Sequence, residues 1–317
     1  MNPLFAANLG LVVTVLVWGT PIPLFDLLLE RWDPVGLAAL RYFCAIPLLF
    51  VVLWIAEPRL RWRFRLRPDG VGWPRLLLIG GLGMGGFAIF FLVGLRYSDP
   101  VTVAVLAAAS PIIAALTAWL CYRQRPPSGI ALALILAVGG GLLVRADFSA
   151  DGGAIGFEGG EPLILLAIAC WSWYSVTAQH AMPHCSQIQL TAATAIPAGV
   201  LLLATYGLLL AMGLVGAPPA APSAGDLLLI IWLSVSTVVI GVLAWNIGVK
   251  RLGVVVASMF LNLIPVAGVL TAAALGSPPT LEQVLGGLLI IAGVLQAQLR
   301  GLARARAARR RDGTPGA

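Results

Sequence analysis

Laid on itself at an offset of 154 residues, the chain repeats without a gap: Pro111 falls on Pro265, Gly94 on Gly248, Arg96 on Lys250, Thr117 on Thr271 and Gly139 on Gly293. Earlier segments match more loosely, Trp18 with Trp171 and Ala45-Ile46-Pro47 with Ala195-Ile196-Pro197. Each copy holds five apolar spans. The sequence places them near 8–28, 34–56, 73–95, 99–121 and 128–145, then 162–181, 188–212, 227–248, 253–275 and 281–299. An odd number of crossings makes the second copy enter a membrane from the opposite side. Inverted repeats of this kind, meeting at a midplane cavity, are an architecture of secondary transporters.

Composition explains why a membrane is needed. Hydrophobic residues make up 60% of the chain and charged residues 10%, against roughly 45–50% and 25% in soluble domains. A water-soluble fold would lack the polar surface to cover such a core. Stretches of about 20 apolar residues span the hydrocarbon as helices, which pair their backbone groups internally. The alternation of a lipid-facing barrel is absent. The expected fold class is an all-α membrane protein with ten transmembrane helices arranged as two inverted five-helix repeats. The repeats run over 1–146 and 162–299, joined by a Gly-rich acidic linker at 147–161 and followed by a basic tail at 300–317. The N-terminus lacks the basic region of a cleavable signal.

Charge sets the expected orientation. If the spans alternate, one side carries Arg59, Arg61, Arg63, Arg65, Arg67, Arg75, Arg123, Arg125, Lys250, Arg251 and the arginines of the tail. The other side holds Asp26, Glu30, Asp33, Asp99, Asp147, Asp151, Glu158, Glu161, Asp226 and Glu282, with only Arg31, Arg96 and Arg145 among them. Basic loops stay cytoplasmic, so both termini are expected inside, in a cell (inner) membrane. The net charge of +7 then reads as topology and contact with anionic lipid, with no nucleic-acid partner. No obligate protein partner is inferred.

Several motifs lose their usual meaning in this setting. Gly81-Leu82-Gly83-Met84-Gly85-Gly86 fits the letter of a dinucleotide fingerprint but lies inside an apolar span, where Gly81 and Gly85 form a helix-packing pair. His180 and His184 are four apart with Pro183 between them, and a zinc site wants three or four ligands. Cys44, Cys121, Cys170 and Cys185 show no metal or redox spacing. No catalytic elbow, metalloprotease helix or intramembrane carboxylate pair is present, so no enzyme activity and no cofactor are expected.

The interior offers candidates for a solute site. Met84, Phe87 and Phe91 share one helix face; Trp171, Tyr174 and Ser175 cluster on another; Met259 and Asn262 lie together on a third. Trp18, Trp245 and Ser110 add to them. Each aromatic has packing as its plain alternative, whereas an amide such as Asn262 is costly in hydrocarbon and should face a partner helix or water. Pro111 and Pro265 sit at equivalent mid-span positions and are expected to act as hinges. Arg41 is the one charge well inside a span, about 10 Å deep. It either reaches outward to Asp26, Glu30 or Asp33 for stability or forms an outer gate through one of them. Aromatic walls with few charges suit a small amphipathic or zwitterionic solute.

These residues resemble the drug/metabolite transporter superfamily, EamA type. Val17-Trp18-Gly19 is similar to its first-helix Trp-Gly, and Ala38-Ala39-Leu40-Arg41-Tyr42 to its Arg-aromatic motif. Ser110-Pro111 and Ile264-Pro265 resemble its proline motif, and Gly286 and Gly293 its last-helix glycines. The chain departs at Tyr122-Arg123 and Gly276-Ser277, where the family usually has Gly-Glu. The resemblance implies a cavity among the first, third, fourth, sixth, eighth and ninth spans and export of metabolites such as amino acids. Uptake of a related metabolite and a non-transporting scaffold or sensor are the alternatives.

Overall fold

The computed structural model describes residues 3–57, 68, 70–98, 103, 106–124, 130–145, 159–264, 266, 267 and 280–311. Every element in these residues is helical. In chain order they are α1 (Pro3–Gly19), α2 (Ile22–Leu29), α3 (Pro34–Ala56), α4 (Trp73–Arg96), α5 (Ser110–Tyr122), α6 (Ala131–Arg145), α7 (Glu161–Ala181), α8 (Gln187–Ala211), α9 (Ala224–Leu252), α10 (Val254–Leu261) and α11 (Leu281–Arg311). Six of them, α3, α4, α7, α8, α9 and the Leu281–Arg300 part of α11, are long and apolar enough to cross a membrane. Leu4–Gly19, Ser110–Tyr122 and Ala131–Gly140 are shorter apolar helices.

Helix starts follow local chemistry. Asp33 accepts from the amides of Val35 and Gly36, with Pro34 in the first turn of α3, where a missing N–H costs nothing. Ser186 caps α8 and Ser223 caps α9 by accepting from Gln189 and Asp226. The expected first span breaks in two, because Pro21 cannot continue the hydrogen-bond ladder of α1. The chain turns at Thr20 and Pro21 and resumes as α2.

Two helices widen at equivalent places. Ile79–Gly86 in α4 and Ser234–Gly241 in α9 are π-helical. The causes differ. The first stretch holds five glycines in eight residues, leaving little side-chain contact to enforce an α turn. In the second, hydroxyls take over backbone carbonyls: Ser234 bonds Ile230 O at 2.6 Å, Ser236 bonds Trp232 O at 2.7 Å and Thr237 bonds Leu233 O at 2.6 Å. Such back-bonding bends helices, and π segments concentrate at functional sites.

Packing follows the sequence duplication. The first helix of each copy lies on the third of the other, α1 against α9 and α7 against α4. The remaining repeat mates pack on each other: α3 on α8, α5 on α10 and α6 on α11. Matched glycines permit the first contact. A Cβ at Gly94 would meet Ile164 of α7 at 2.8 Å, and one at Gly248 would run into the Leu11 side chain of α1. Trp18 and Trp171, repeat mates in sequence, touch with ring centroids 5.2 Å apart.

Candidate functional site

Trp171, from the middle of α7, is the hub of a connected set of rings. Its centroid lies 5.2 Å from Trp18, 5.1 Å from Phe87, 5.1 Å from Tyr174 and 5.8 Å from Trp245. Phe91 stacks on Phe87 at 5.4 Å, and Trp18 approaches Trp245 at 5.9 Å. Four helices, α1, α4, α7 and α9, thus bring six of the sequence candidates into one cage. Ser175 joins it as well. Its hydroxyl accepts the Trp245 indole N–H at 2.9 Å and donates to Trp171 O at 2.7 Å.

The two tryptophans at equivalent repeat positions differ in one respect. Trp18 donates its N–H to Thr237 O at 3.0 Å, inside the π stretch of α9. The Trp171 N–H is buried with no partner. A buried donor left unmade costs about 1–3 kcal/mol, so the hub of the cage retains an unused polar handle.

A polar layer lies beside the cage, and the sequence reading passed over it. Asn246 donates to the Tyr174 hydroxyl at 2.9 Å and to Thr191 Oγ1 at 3.0 Å, and Tyr174 lies 3.3 Å from Thr194 Oγ1. Gln179 donates to Gln187 Oε1 at 2.8 Å and to Asn246 O at 3.3 Å. The cost of an amide in hydrocarbon, which singled out Asn262, applies equally to the fully buried Asn246. That argument would have found it.

A cleft of about 270 Å³ leads to this layer. Gln124, Ser175, Gln179, His180, Lys250 and Val254 are among its lining residues. Its mouth is basic and aromatic: His180 stacks on Tyr122 at 4.2 Å, and Lys250 Nζ bonds the carbonyls of Pro183 and Cys185, each at 3.1 Å. The opposite end of the bundle is tied together. Arg31 pairs with Asp226 at 2.8 Å, Asp33 accepts the Gly216 amide at 3.2 Å, and Tyr206 donates to Gly216 O at 2.9 Å.

Met84 and Met259 are fully buried in the same apolar core cluster as Trp171, Tyr174 and Trp245. Asn262 faces partner helices, donating to Ala108 O at 3.2 Å and Ala137 O at 2.9 Å; Ala108 is its own repeat position. Ser110 bonds back to Ala107 O. Pro111 occupies the first turn of α5 after a turn at Ala109, so the interruption precedes the proline. Pro265 lies outside the described residues, as do the side chain of Asp26 and most of the 147–161 linker. Of the three carboxylates expected near Arg41, the side chain of Asp26 lies outside the described residues. Among the described residues Arg41 meets no carboxylate: Nη2 donates to Thr237 Oγ1 at 2.6 Å and the guanidinium sits 4.5 Å over the Phe25 ring. Asp33 is engaged in capping α3, and the ion pair at that end is Arg31 with Asp226.

The sequence profile of the EamA-like transporter family matches residues 5–146 and 159–297. The chain belongs to the EamA-like transporter family. It is 27% identical over 272 residues to an uncharacterized transporter, YyaM, of Bacillus subtilis, covering 84% of this chain and 85% of that one. It is 26% identical over 308 residues to a probable terminal-alkyne amino-acid exporter of Streptantibioticus cattleyicolor, covering 97% of each. A crystal structure superposes with a TM-score of 0.73 over 94% of this chain and 98% of the other at 20% identity, a likeness of fold. As an EamA-like transporter with six long apolar helices, the protein is a multi-pass membrane protein that moves a small-molecule solute, and its relatives are named as transporters rather than enzymes.

Proposed function

We propose that this EamA-like transporter exports small amphipathic metabolites, amino acids foremost, by alternating access between two inverted five-helix repeats. The observation that carries the reading is the cage of Trp18, Phe87, Phe91, Trp171, Tyr174 and Trp245, which borders a cleft at Ser175, a lining residue that accepts the Trp245 N–H. Aromatic rings supply contact area for an apolar side chain, and Ser175, Gln179 and Asn246 supply hydrogen bonds for its polar end. Small-ligand sites combine an apolar surface with a few placed polar groups in this way.

Basic loops favour the cytoplasm, so the end bearing Arg123, Lys250 and Arg251 is the inner one and both termini are cytoplasmic, in a cell (inner) membrane. The conformation described is then open inward and closed outward by the Arg31–Asp226 pair. The name of the Streptantibioticus relative points to the same solute class. Purified protein in liposomes, loaded with a panel of labelled amino acids, tests the proposal. Efflux above empty vesicles for at least one of them is expected. No movement in either direction across the whole panel would refute it, and movement only inward would make the protein an uptake permease.

A further inference from the structure

Along α9 the parts of the site follow in order. Lys250 stands at the cleft mouth, Trp245 in the cage, and Thr237 beyond it in the π stretch. Two different groups converge on Thr237. Its backbone carbonyl takes the Trp18 indole N–H at 3.0 Å, and its hydroxyl takes Arg41 Nη2 at 2.6 Å. One residue therefore holds a ring of the cage and a guanidinium side by side.

Arg41 as a whole is only 8% exposed. Its Nε is buried without a partner, and among the described residues no carboxylate pairs with it. Arginine keeps its charge under all ordinary conditions. A buried cation that meets no counter-charge among the described residues is a costly arrangement for a helix bundle, and an intramembrane charge of this sort suggests a functional site by default. The Phe25 ring at 4.5 Å offsets part of the cost. It satisfies none of the in-plane N–H donors.

We propose that Arg41 is the anchor for a solute carboxylate, engaged when a solute enters the cage from the cleft, so that the transported class is carboxylic acids with an apolar or aromatic side chain. The fork of a guanidinium matches two carboxylate oxygens, and the unpaired Nε is one tine of it. The tether through Thr237 fixes the cation at the far wall of the cage from the cleft. A bound carboxylate would neutralise Arg41 at the same moment that the rings enclose the apolar part. The proposal rests on the exporter reading and adds to it the group that selects the solute.

The test uses full-length protein and a panel of L-amino acids, each paired with its carboxamide, read by the change in intrinsic tryptophan emission, to which the cage contributes Trp18, Trp171 and Trp245 among ten tryptophans. Acids should bind the wild type at least about tenfold tighter than their carboxamides, the scale of a lost charge-assisted pair. Arg41→Gln should bring that ratio to near one, and Arg41→Lys, which keeps the charge and loses the fork, should fall between. Should Arg41→Gln fail to fold, the lysine variant alone decides by its reduced preference. Carboxamides binding as well as acids, an undiminished preference in the folded variants, or no response to any acid would each overturn the assignment. Flux separates the two claims. Amino acids crossing liposomes at wild-type rate through Arg41→Gln would remove Arg41 and leave the exporter standing, whereas silence of every solute in both assays would remove both.

Discussion

Trp171 touches four other rings and carries the only cage indole N–H without a partner, since Trp18 and Trp245 both donate. Trp171→Ala removes the hub and should weaken solute binding about tenfold, each aromatic pair being worth roughly 0.5–1.5 kcal/mol beyond its area. Fluorescence titration against the wild type checks it, with elution on size exclusion showing that the fold is kept; unchanged affinity would take Trp171 out of the site. Asn246→Ala strips the donor from Tyr174 and Thr191 and should destabilise the protein by about 1–3 kcal/mol, read as a lower thermal midpoint. Much of the cage was legible because bulky aromatics and hydroxyls stand out from an apolar background. Arg41 was legible as a charge in the wrong place. Its partner was not, since Thr237 earns notice only once α3 and α9 are seen side by side. Asn246 escaped because it follows Trp245 closely and precedes Lys250, which makes it look like a residue of the helix end.

At the scale of the element, the two π stretches are what the sequence concealed most completely. An apolar run keeps its hydropathy whether its turns hold α or π geometry, so composition predicts a span and is silent on its winding. The glycines of the first stretch were visible as small packing residues, and they do pack. A Cβ at Gly83 would lie 2.6 Å from the Cβ of Tyr174, and the side chain of Leu201 on α8 covers Gly81. Gly83→Val should therefore part α4 from α7 and lower the yield of folded protein severely. Gly139→Ala is the control, because nothing lies within 4 Å of that position; it should leave transport intact and, through helix propensity, gain up to about 1 kcal/mol. Thermal unfolding of both variants in detergent decides between them. If Gly83→Val melts like the wild type, the close approach of α4 and α7 is not a requirement of the fold.

For the whole molecule, the duplication in sequence becomes reciprocal packing, with α1 on α9 answering α7 on α4. Such an arrangement offers two equivalent ways of closing, and the described one has its cleft at the Lys250 end and its ties at the Arg31–Asp226 end. The expectation of ten spans in two copies followed from hydropathy and the 154-residue offset; six long apolar helices lie among the described residues. Which end stands open did not, because the two pseudo-two-fold-related conformations of a duplicated bundle share one sequence. The central claim is that a solute in the cage reverses the two ends. Spin labels at Gln124→Cys and Lys250→Cys, across the cleft mouth, and in a second sample at Glu30→Cys and Leu228→Cys, across the tied end, measure this in a background with the native cysteines replaced. With a transported solute present, the first distance should shorten and the second lengthen. Distances that stay fixed, or that grow or shrink together, would contradict alternating access.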